Sequence, residues 1–379
     1  MGLGLGLRVK WDRLNRYGYL RRTADYRAAI LRKKPLLTYI GWLGHQNIGD
    51  EALYLSFRDE LFKDTLMLPH DDFSALSYLS GLASERLTIL GGGTLINVDP
   101  YLHVLERARA RGERYAVWGT GVADLGYWSR HPEHADRGNP GRWLDVLRDA
   151  RYIGVRGPRS AAWLAENGID GVEVIGDPAL SIRPAPKNAH PDTRTLGINL
   201  GSHDPVSGGG DSVFDSTLTL IRHALRQGYK VQYFALHGLD AEIGQALKAE
   251  VASAGFELLP FSASVNETMQ QLAGFDYVVG QRLHATILAC AQGVPNLSLS
   301  YQPKCLDFLE SIHQPGLALP TEEISSAGLI ERFEWLVQAE TAVRDSIVSE
   351  CNRFRTLQQQ NASTLLARCN SSNLEGAAS

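Results

Sequence analysis

The sharpest chemical signal in this 379-residue chain is Gly280-Gln281-Arg282-Leu283-His284, which joins the apolar run Tyr277–Val279 to the apolar stretch Ala285–Ala291. Arg282 and His284 alternate, so in an extended turn both side chains point the same way. A guanidinium grips phosphate or carboxylate through two parallel N–H donors. Histidine is the side chain best suited to moving a proton near neutral pH. The plain alternative for His284 is a helix cap. The next apolar run, Asn296–Ser300, leads to Lys304, which is either a second positive charge at the same rim or an ordinary surface lysine.

Other apolar runs end in similar chemistry. Leu36–Leu43 leads into His45-Gln46-Asn47-Ile48-Gly49-Asp50, where Asn47 can cap a helix and Asp50 falls in its first turn. Asp50 is either a carboxylate favoured by the helix dipole or one that orients or deprotonates a hydroxyl. Leu87–Leu90 leads into Gly91-Gly92-Gly93, and Tyr115–Trp118 into Gly119-Thr120-Gly121. Such turns let a ligand approach the backbone and leave amides for an anion or a sugar hydroxyl. Asn47, Gly49, Gly91, Gly92, Gly93, Thr120 and Gly121 are therefore the expected acceptor or anion-binding surface. Neither turn is the dinucleotide fingerprint, and no lysine follows as it would in a nucleotide-binding P-loop. Arg156 sits between the run Tyr152–Val155 and a helix start at Pro158, where a cation can meet an anionic ligand.

Positioning these groups requires short strands that alternate with helices. Continuous apolar strands with helical crossovers predict a parallel sheet covered on both faces. The pattern runs over residues 35–183, halts at a proline-rich polar stretch over 184–194, and restarts over 195–320. The expected fold is α/β, with two Rossmann-like domains facing across a cleft. Ligands in such sheets bind outside the carboxyl ends of the strands. Residues 321–366 read as C-terminal helices and 367–379 as a disordered tail. Residues 1–34 form a basic N-terminal arm with ten Lys and Arg against two Asp, dotted with Trp11, Tyr17, Tyr19 and Tyr26. The arm suits a solvated extension or a peripheral patch on anionic lipid.

The formal net charge of −4 argues against a nucleic-acid-coating protein. Four cysteines, with no Cys-x-x-Cys or Cys/His cluster, predict neither a disulfide framework nor a metal site, and suit a reducing cytoplasm. The charged residues Arg8, Lys10 and Asp12 interrupt the apolar start, and no run approaches the ~20 apolar residues of a membrane span.

The segments GWLGHQNIGDEAL, LGGGTLIN, GTGV, VRGPRS, VIGDPAL, VGQRLHATILA and SYQPK, spread over residues 38–310, together resemble the polysaccharide pyruvyl transferase family. The resemblance implies a GT-B-like pair of domains, phosphoenolpyruvate as co-substrate with no further cofactor, and a sugar acceptor. It implies a pyruvate ketal on an envelope or exopolysaccharide building block. The basic arm over 1–34 suits work at the inner face of the membrane, where a lipid-linked oligosaccharide acceptor would lie. By motif position, Asp50, Arg156, Arg282, Leu283, His284 and Lys304 map onto the family's site. Where the family often has Arg-Asp, this chain has Arg156-Gly157, and the basic arm lies outside the shared region.

Residues and resemblance converge on one expected mechanism. Arg156, Arg282 and Lys304 hold phosphoenolpyruvate. His284 is the general acid/base, and Asp50 orients the hydroxyl or acts as base. Two other readings fit the same cleft. A GT-B glycosyltransferase using a nucleotide sugar would need an acid to grip ribose, for which Asp307 is the candidate. A non-catalytic protein binding a phosphorylated metabolite would keep the cations and dispense with Asp50 and His284.

Overall fold

The computed structural model describes residues 36–69, 86–130, 139–187, 193–201 and 212–375. The basic arm over 1–34, residues 188–192 of the expected linker and residues 376–379 lie outside the described residues.

The first half contains β1 (Leu36–Ile40), α1 (Ile48–Leu55), β2 (Leu66–Pro69), β3 (Arg86–Leu90), β4 (Gly93–Ile96), α2 (Asp99–Ala110), β5 (Arg114–Val122), α3 (Leu125–Ser129), α4 (Pro140–Leu147), β6 (Ile153–Val155), α5 (Pro158–Glu166) and β7 (Glu173–Val174). Its strands are parallel in the order β2-β1-β3-β5-β6-β7, with β4 paired to β5. The second half contains β8 (Thr195–Asn199), α6 (Val213–Arg226), β9 (Lys230–Tyr233), α7 (Ala241–Val251), β10 (Phe256–Leu258), α8 (Val265–Leu272), β11 (Tyr277–Gly280), α9 (Leu283–Gln292), β12 (Asn296–Ser300), α10 (Pro303–Ser311), β13 (Ala318–Pro320), α11 (Ser326–Gln338) and α12 (Glu340–Glu375). These strands are also parallel, in the order β10-β9-β8-β11-β12-β13.

Local chemistry explains the boundaries. Asn47, Asn139, Ser212, Ser264 and Ser325 each accept a backbone N–H at the start of a helix. Proline opens α2, α4, α5 and α10, where its missing N–H costs nothing. Strands β8 and β11 are buried along their whole length, as a sheet covered on both faces requires.

In the second sheet the strand order reverses between β8 and β11, and in the first between β1 and β3. A crevice opens outside the carboxyl ends of the strands at each reversal. The turns after β1 and β3 carry Asp50 and Gly93, and the turn after β11 carries Arg282 and His284.

The halves are welded by apolar packing. Ile48, Ala52 and Leu53 of α1, with Ala179, Leu180 and Ile182, belong to the hydrophobic core of the second sheet. Helix α12 returns the other way. Its Ala362 and Leu365 join Phe57, Phe62 and Trp118 in a core under the first sheet. Gln358 donates to the carbonyls of Ile175 (2.8 Å) and Asp177 (3.1 Å) and accepts from the Ser181 hydroxyl (3.0 Å). This helix runs to Glu375, through much of the stretch that reads as a disordered tail. Among the described residues, no helix is long and apolar enough to cross a membrane.

Candidate active site

A cavity of about 460 Å³ lies between the two crevices. The first half contributes Trp42, Asn47, Asp50, Gly93, Thr94, Tyr101, Trp128 and Arg156 to its lining. The second contributes Arg282, Leu283, His284, Tyr301, Gln302 and Lys304.

His284 stands in the first turn of α9 and lies against the first turn of α1. A Cβ placed on Gly49 would sit 2.2 Å from His284 Nδ1, so glycine is what lets the imidazole dock there. Nε2 is buried with no hydrogen-bond partner among the described residues. Burial, then the charges of Arg156, Lys304 and Arg282, push its pKa down to about 3. The positive end of α9 acts in the same direction. The imidazole of the unliganded protein is neutral at pH 7.

Asp50, in the first turn of α1, is 8% exposed. A Cβ on Gly93 would lie 3.7 Å from its Oδ1. Burial, then the neighbouring Glu51, raises its pKa to about 7, with Lys304 and Arg282 opposing and Asp177 adding. Burial thus outweighs the α1 dipole, which favours the carboxylate. The usual order of proton affinity is reversed, with the aspartate above the histidine.

Arg282 is already engaged. Its Nε and Nη2 donate to the two carboxylate oxygens of buried Asp240, both at 2.5 Å, and its backbone N–H donates to Asn199 Oδ1 at 3.2 Å. Asp240 thus closes the Nε side of the guanidinium fork, while the end-on side, Nη1 with the second Nη2 hydrogen, still points two donors away from Asp240. Nη1 keeps no protein acceptor among the described residues. Arg156 is 0% exposed. Its Nη1 donates to the Gly93 carbonyl at 2.7 Å, and both terminal nitrogens reach Thr94 Oγ1 at 3.3 Å. It therefore shapes the Gly93-Thr94 turn and lends the cavity its charge, in place of the expected direct grip on an anion. Lys304 lies at the start of α10 with its ammonium 4.7 Å from the Tyr301 ring centre. Leu283 lines the cavity at the head of α9.

The glycine turns divide. Gly93 and Asn47 line the cavity, and Asn47 Oδ1 also caps α1 by accepting from Gly49 N–H at 3.1 Å. Gly91 makes room for the Tyr39 ring and Gly92 for Leu53, with a Cβ only 2.2 and 2.4 Å from those side chains. Gly121 clears Arg156 Nη2 in the same way, at 2.3 Å. Thr120 is buried and accepts the Leu95 N–H at 3.0 Å. Gly49, Gly91, Gly92, Thr120 and Gly121 thus pack side chains and do not line the cavity.

The acid missing after Arg156 arrives from the other half. A Cβ on Gly157 would stand 2.1 Å from the Asp307 carbonyl and 2.3 Å from its Oδ1. Asp307 accepts from the N–H groups of Arg159 (3.0 Å) and Ser160 (3.2 Å) and from the Ser160 hydroxyl (2.8 Å), and lies 3.6 Å from Arg156. It caps α5 and faces Arg156, which corrects the ribose-binding role considered for it. Arg159 adds two 2.8 Å bonds to Glu310. Sequence reasoning also passed over Asp240, Trp42, Tyr101, Trp128 and buried Asp177, whose pKa burial raises to about 6. Only the position of Trp42 between Gly41 and Gly44, in a turn already singled out, offered a signal. Among the described residues, no three of His, Cys, Asp and Glu converge as a metal site would need.

The fold is similar to that of a UDP-GlcNAc 2-epimerase from Neisseria meningitidis bound to UDP-GlcNAc, at 10% identity and TM-score 0.55 over 89% of this chain and 100% of that one. It is similar to the UDP-GlcNAc 2-epimerase from Methanocaldococcus jannaschii, at 10% and 0.51 over 80% and 92% of the chains. A UDP-glucosyltransferase from Polygonum tinctorium aligns at 10% and 0.52 over 89% and 98%. Identities this low establish the architecture alone, two Rossmann-like domains of the GT-B kind. No curated protein sequence matches the chain. The family model described as polysaccharide pyruvyl transferase matches residues 47–303, from the cap of α1 to the start of α10. This chain belongs to the polysaccharide pyruvyl transferase family.

Proposed function

We propose that the chain transfers the pyruvyl group of phosphoenolpyruvate to two hydroxyls of a cell-envelope or exopolysaccharide sugar, closing a pyruvate ketal. The observation that carries this reading is a cavity where Arg156, Arg282 and Lys304 surround a neutral His284 and an aspartic acid that titrates near 7. A donor bearing both phosphate and carboxylate suits Lys304 and the open Nη1 of Arg282, within the field of Arg156.

The inverted proton affinities support one division of roles. Protonated Asp50 gives its proton to the methylene carbon of the donor. Neutral His284 takes the proton of the first sugar hydroxyl as its oxygen bonds to C2. The anionic donor favours this step by raising the proton affinity of His284. The C2–O bond to phosphate then breaks, and phosphate leaves with the proton from His284. The second hydroxyl attacks C2 and returns its proton to Asp50, which closes the ketal and restores the starting state. One C–H and two C–O bonds form, and one C–O bond breaks. Against the nucleotide-sugar reading, Asp307, the candidate for gripping ribose, is turned to α5 and held by Arg159 and Ser160.

Phosphate release from phosphoenolpyruvate, measured with and without a panel of sugars for wild type and His284→Ala, tests the reading. Acceptor-dependent release that falls about 10²–10⁴-fold in the variant is the expected result. A wild-type protein that neither binds phosphoenolpyruvate nor releases phosphate would overturn it.

A further inference from the structure

We propose that the first-half wall of the cavity is the acceptor seat, with Trp42 as its platform, and that the acceptor is a pyranose laid with its C–H face on that indole. The inference rests on the pyruvyl-transfer reading and adds the residue that seats the sugar and the ring face on which it lies.

The cavity walls differ in kind. Arg282 and Lys304 line the second-half wall, where the one large aromatic, Tyr301, lies against the Lys304 ammonium. Three large aromatics, Trp42, Tyr101 and Trp128, line the first-half wall beside Asp50, and its cation Arg156 is fully buried. A small, highly charged donor is drawn to the cations and gains little from indole surface. A pyranose has the complementary character, with a polar rim of hydroxyls around an apolar C–H face. The electron-rich face of an aromatic ring attracts such polarised C–H groups, and the rim stays available for hydrogen bonds.

Trp42 is also built as a platform. It is 42% exposed, among the largest exposed apolar side chains of the described residues. Its indole stacks on His45 with ring centres 4.6 Å apart and planes 14° from parallel, which fixes the ring's orientation. The surrounding turn is braced by the Gly44 N–H donating to Glu51 Oε1 at 2.9 Å and the Leu43 N–H donating to the Gly41 carbonyl at 3.2 Å. A preordered ring loses little conformational entropy when a ligand covers it. The same turn leads directly into α1 and Asp50, so a sugar seated on Trp42 turns its hydroxyls along the wall that holds the proton carrier. The cavity, at about 460 Å³, falls within the range that holds a drug-sized ligand, well beyond the needs of a three-carbon donor.

The test uses the full chain with saturating phosphoenolpyruvate. Methyl pyranosides of glucose, galactose, mannose and their N-acetylated counterparts are titrated by saturation-transfer-difference NMR against wild type, Trp42→Ala and Trp42→Phe. At least one glycoside is expected to bind wild type. Trp42→Ala should weaken it about tenfold, equivalent to about 1.4 kcal/mol, and Trp42→Phe should restore most of the affinity. Melting temperature and phosphoenolpyruvate affinity should stay as in wild type, because Trp42 is 42% exposed and its ring stacks on His45 and on none of the cations. Glycosides that bind Trp42→Ala as well as wild type, or that bind no form while phosphoenolpyruvate binds normally, would overturn the platform and leave the transfer reading standing. Displacement of a bound glycoside by UDP would also overturn it, by showing that the indole stacks a base. Loss of phosphoenolpyruvate binding in wild type strikes the transfer reading instead.

Discussion

The two walls of the cleft come from the same kind of parallel sheet and meet at equivalent strand reversals, yet they bring opposite chemistry. In the first half the glycine turns are filled from within by Tyr39, Leu53 and Arg156, and the cavity meets three aromatic side chains and the acid Asp50, with Arg156 buried behind Gly93 and Thr94. In the second half the turn after β11 presents Arg282 and His284, with Arg282 fixed by Asp240 and Asn199. One wall stores a proton and offers apolar area. The other supplies two cations, Arg282 and Lys304, to whose field buried Arg156 of the first half adds. The difference teaches that topology sets where a site lies, while the packing behind each turn decides what it offers.

The comparison is broken most directly by removing the proton carrier from each wall. Asp50→Asn and His284→Ala should each lower kcat by about 10²–10⁴-fold. Wild-type kcat/KM should fall above pH about 7 as Asp50 loses its proton, and residual activity in Asp50→Asn should lack that limb. If both variants kept the same limb, the walls would not divide the proton chemistry as described. Next in size is Asp307→Ala, which strips α5 of its cap and Arg156 of its buried neighbour. Denaturant titration should show a loss of about 3–5 kcal/mol, the range for one partner removed from a buried pair.

A smaller effect sharpens the account of Asp50. Its pKa is raised in the folded protein from 3.8 to about 7, so the stability it contributes is full below pH 4 and is lost as pH rises through 7. Asp50→Asn should therefore be more stable than wild type at pH 8, by up to a few kcal/mol at about 1.4 kcal/mol per pH unit. The gap should close toward pH 4, as thermal melts across that range would show. His284 has the opposite sign, contributing stability above pH 6.5 that is lost as pH falls toward 3. Smallest is Arg159→Ala. The pair with Glu310 is substantially exposed, so its loss should cost no more than about 1 kcal/mol and less in high salt.

Much of the fold was legible, because strands buried on both faces read as continuous apolar runs, and Asn296–Ser300 was found to the residue. Strand β4 was not, because three glycines in a row mark a turn and mask the strand-like Gly93-Thr94-Leu95-Ile96. Helix α4 was hidden similarly, by a Pro140-Gly141 that reads as a breaker but opens a helix behind Asn139. At the site, Asp50, Arg282, His284 and Lys304 could be picked out because strand ends carry chemistry in this architecture. The state of the arginines could not. The acid that holds Arg282 lies 42 positions away and the one facing Arg156 lies in the other half. A glycine-rich turn looks the same in sequence whether a ligand or a tyrosine ring fills it.

Helix α12 bears on how the protein is made. Ala362 and Leu365 complete the packing around Phe57, Phe62 and Trp118, so the first half cannot close its core until α12, which follows the whole second sheet in the chain, has been made. Until then the aromatic layer beneath β1 and β5 lies open, and the nascent first domain must persist through synthesis of the whole second one as an unsealed intermediate.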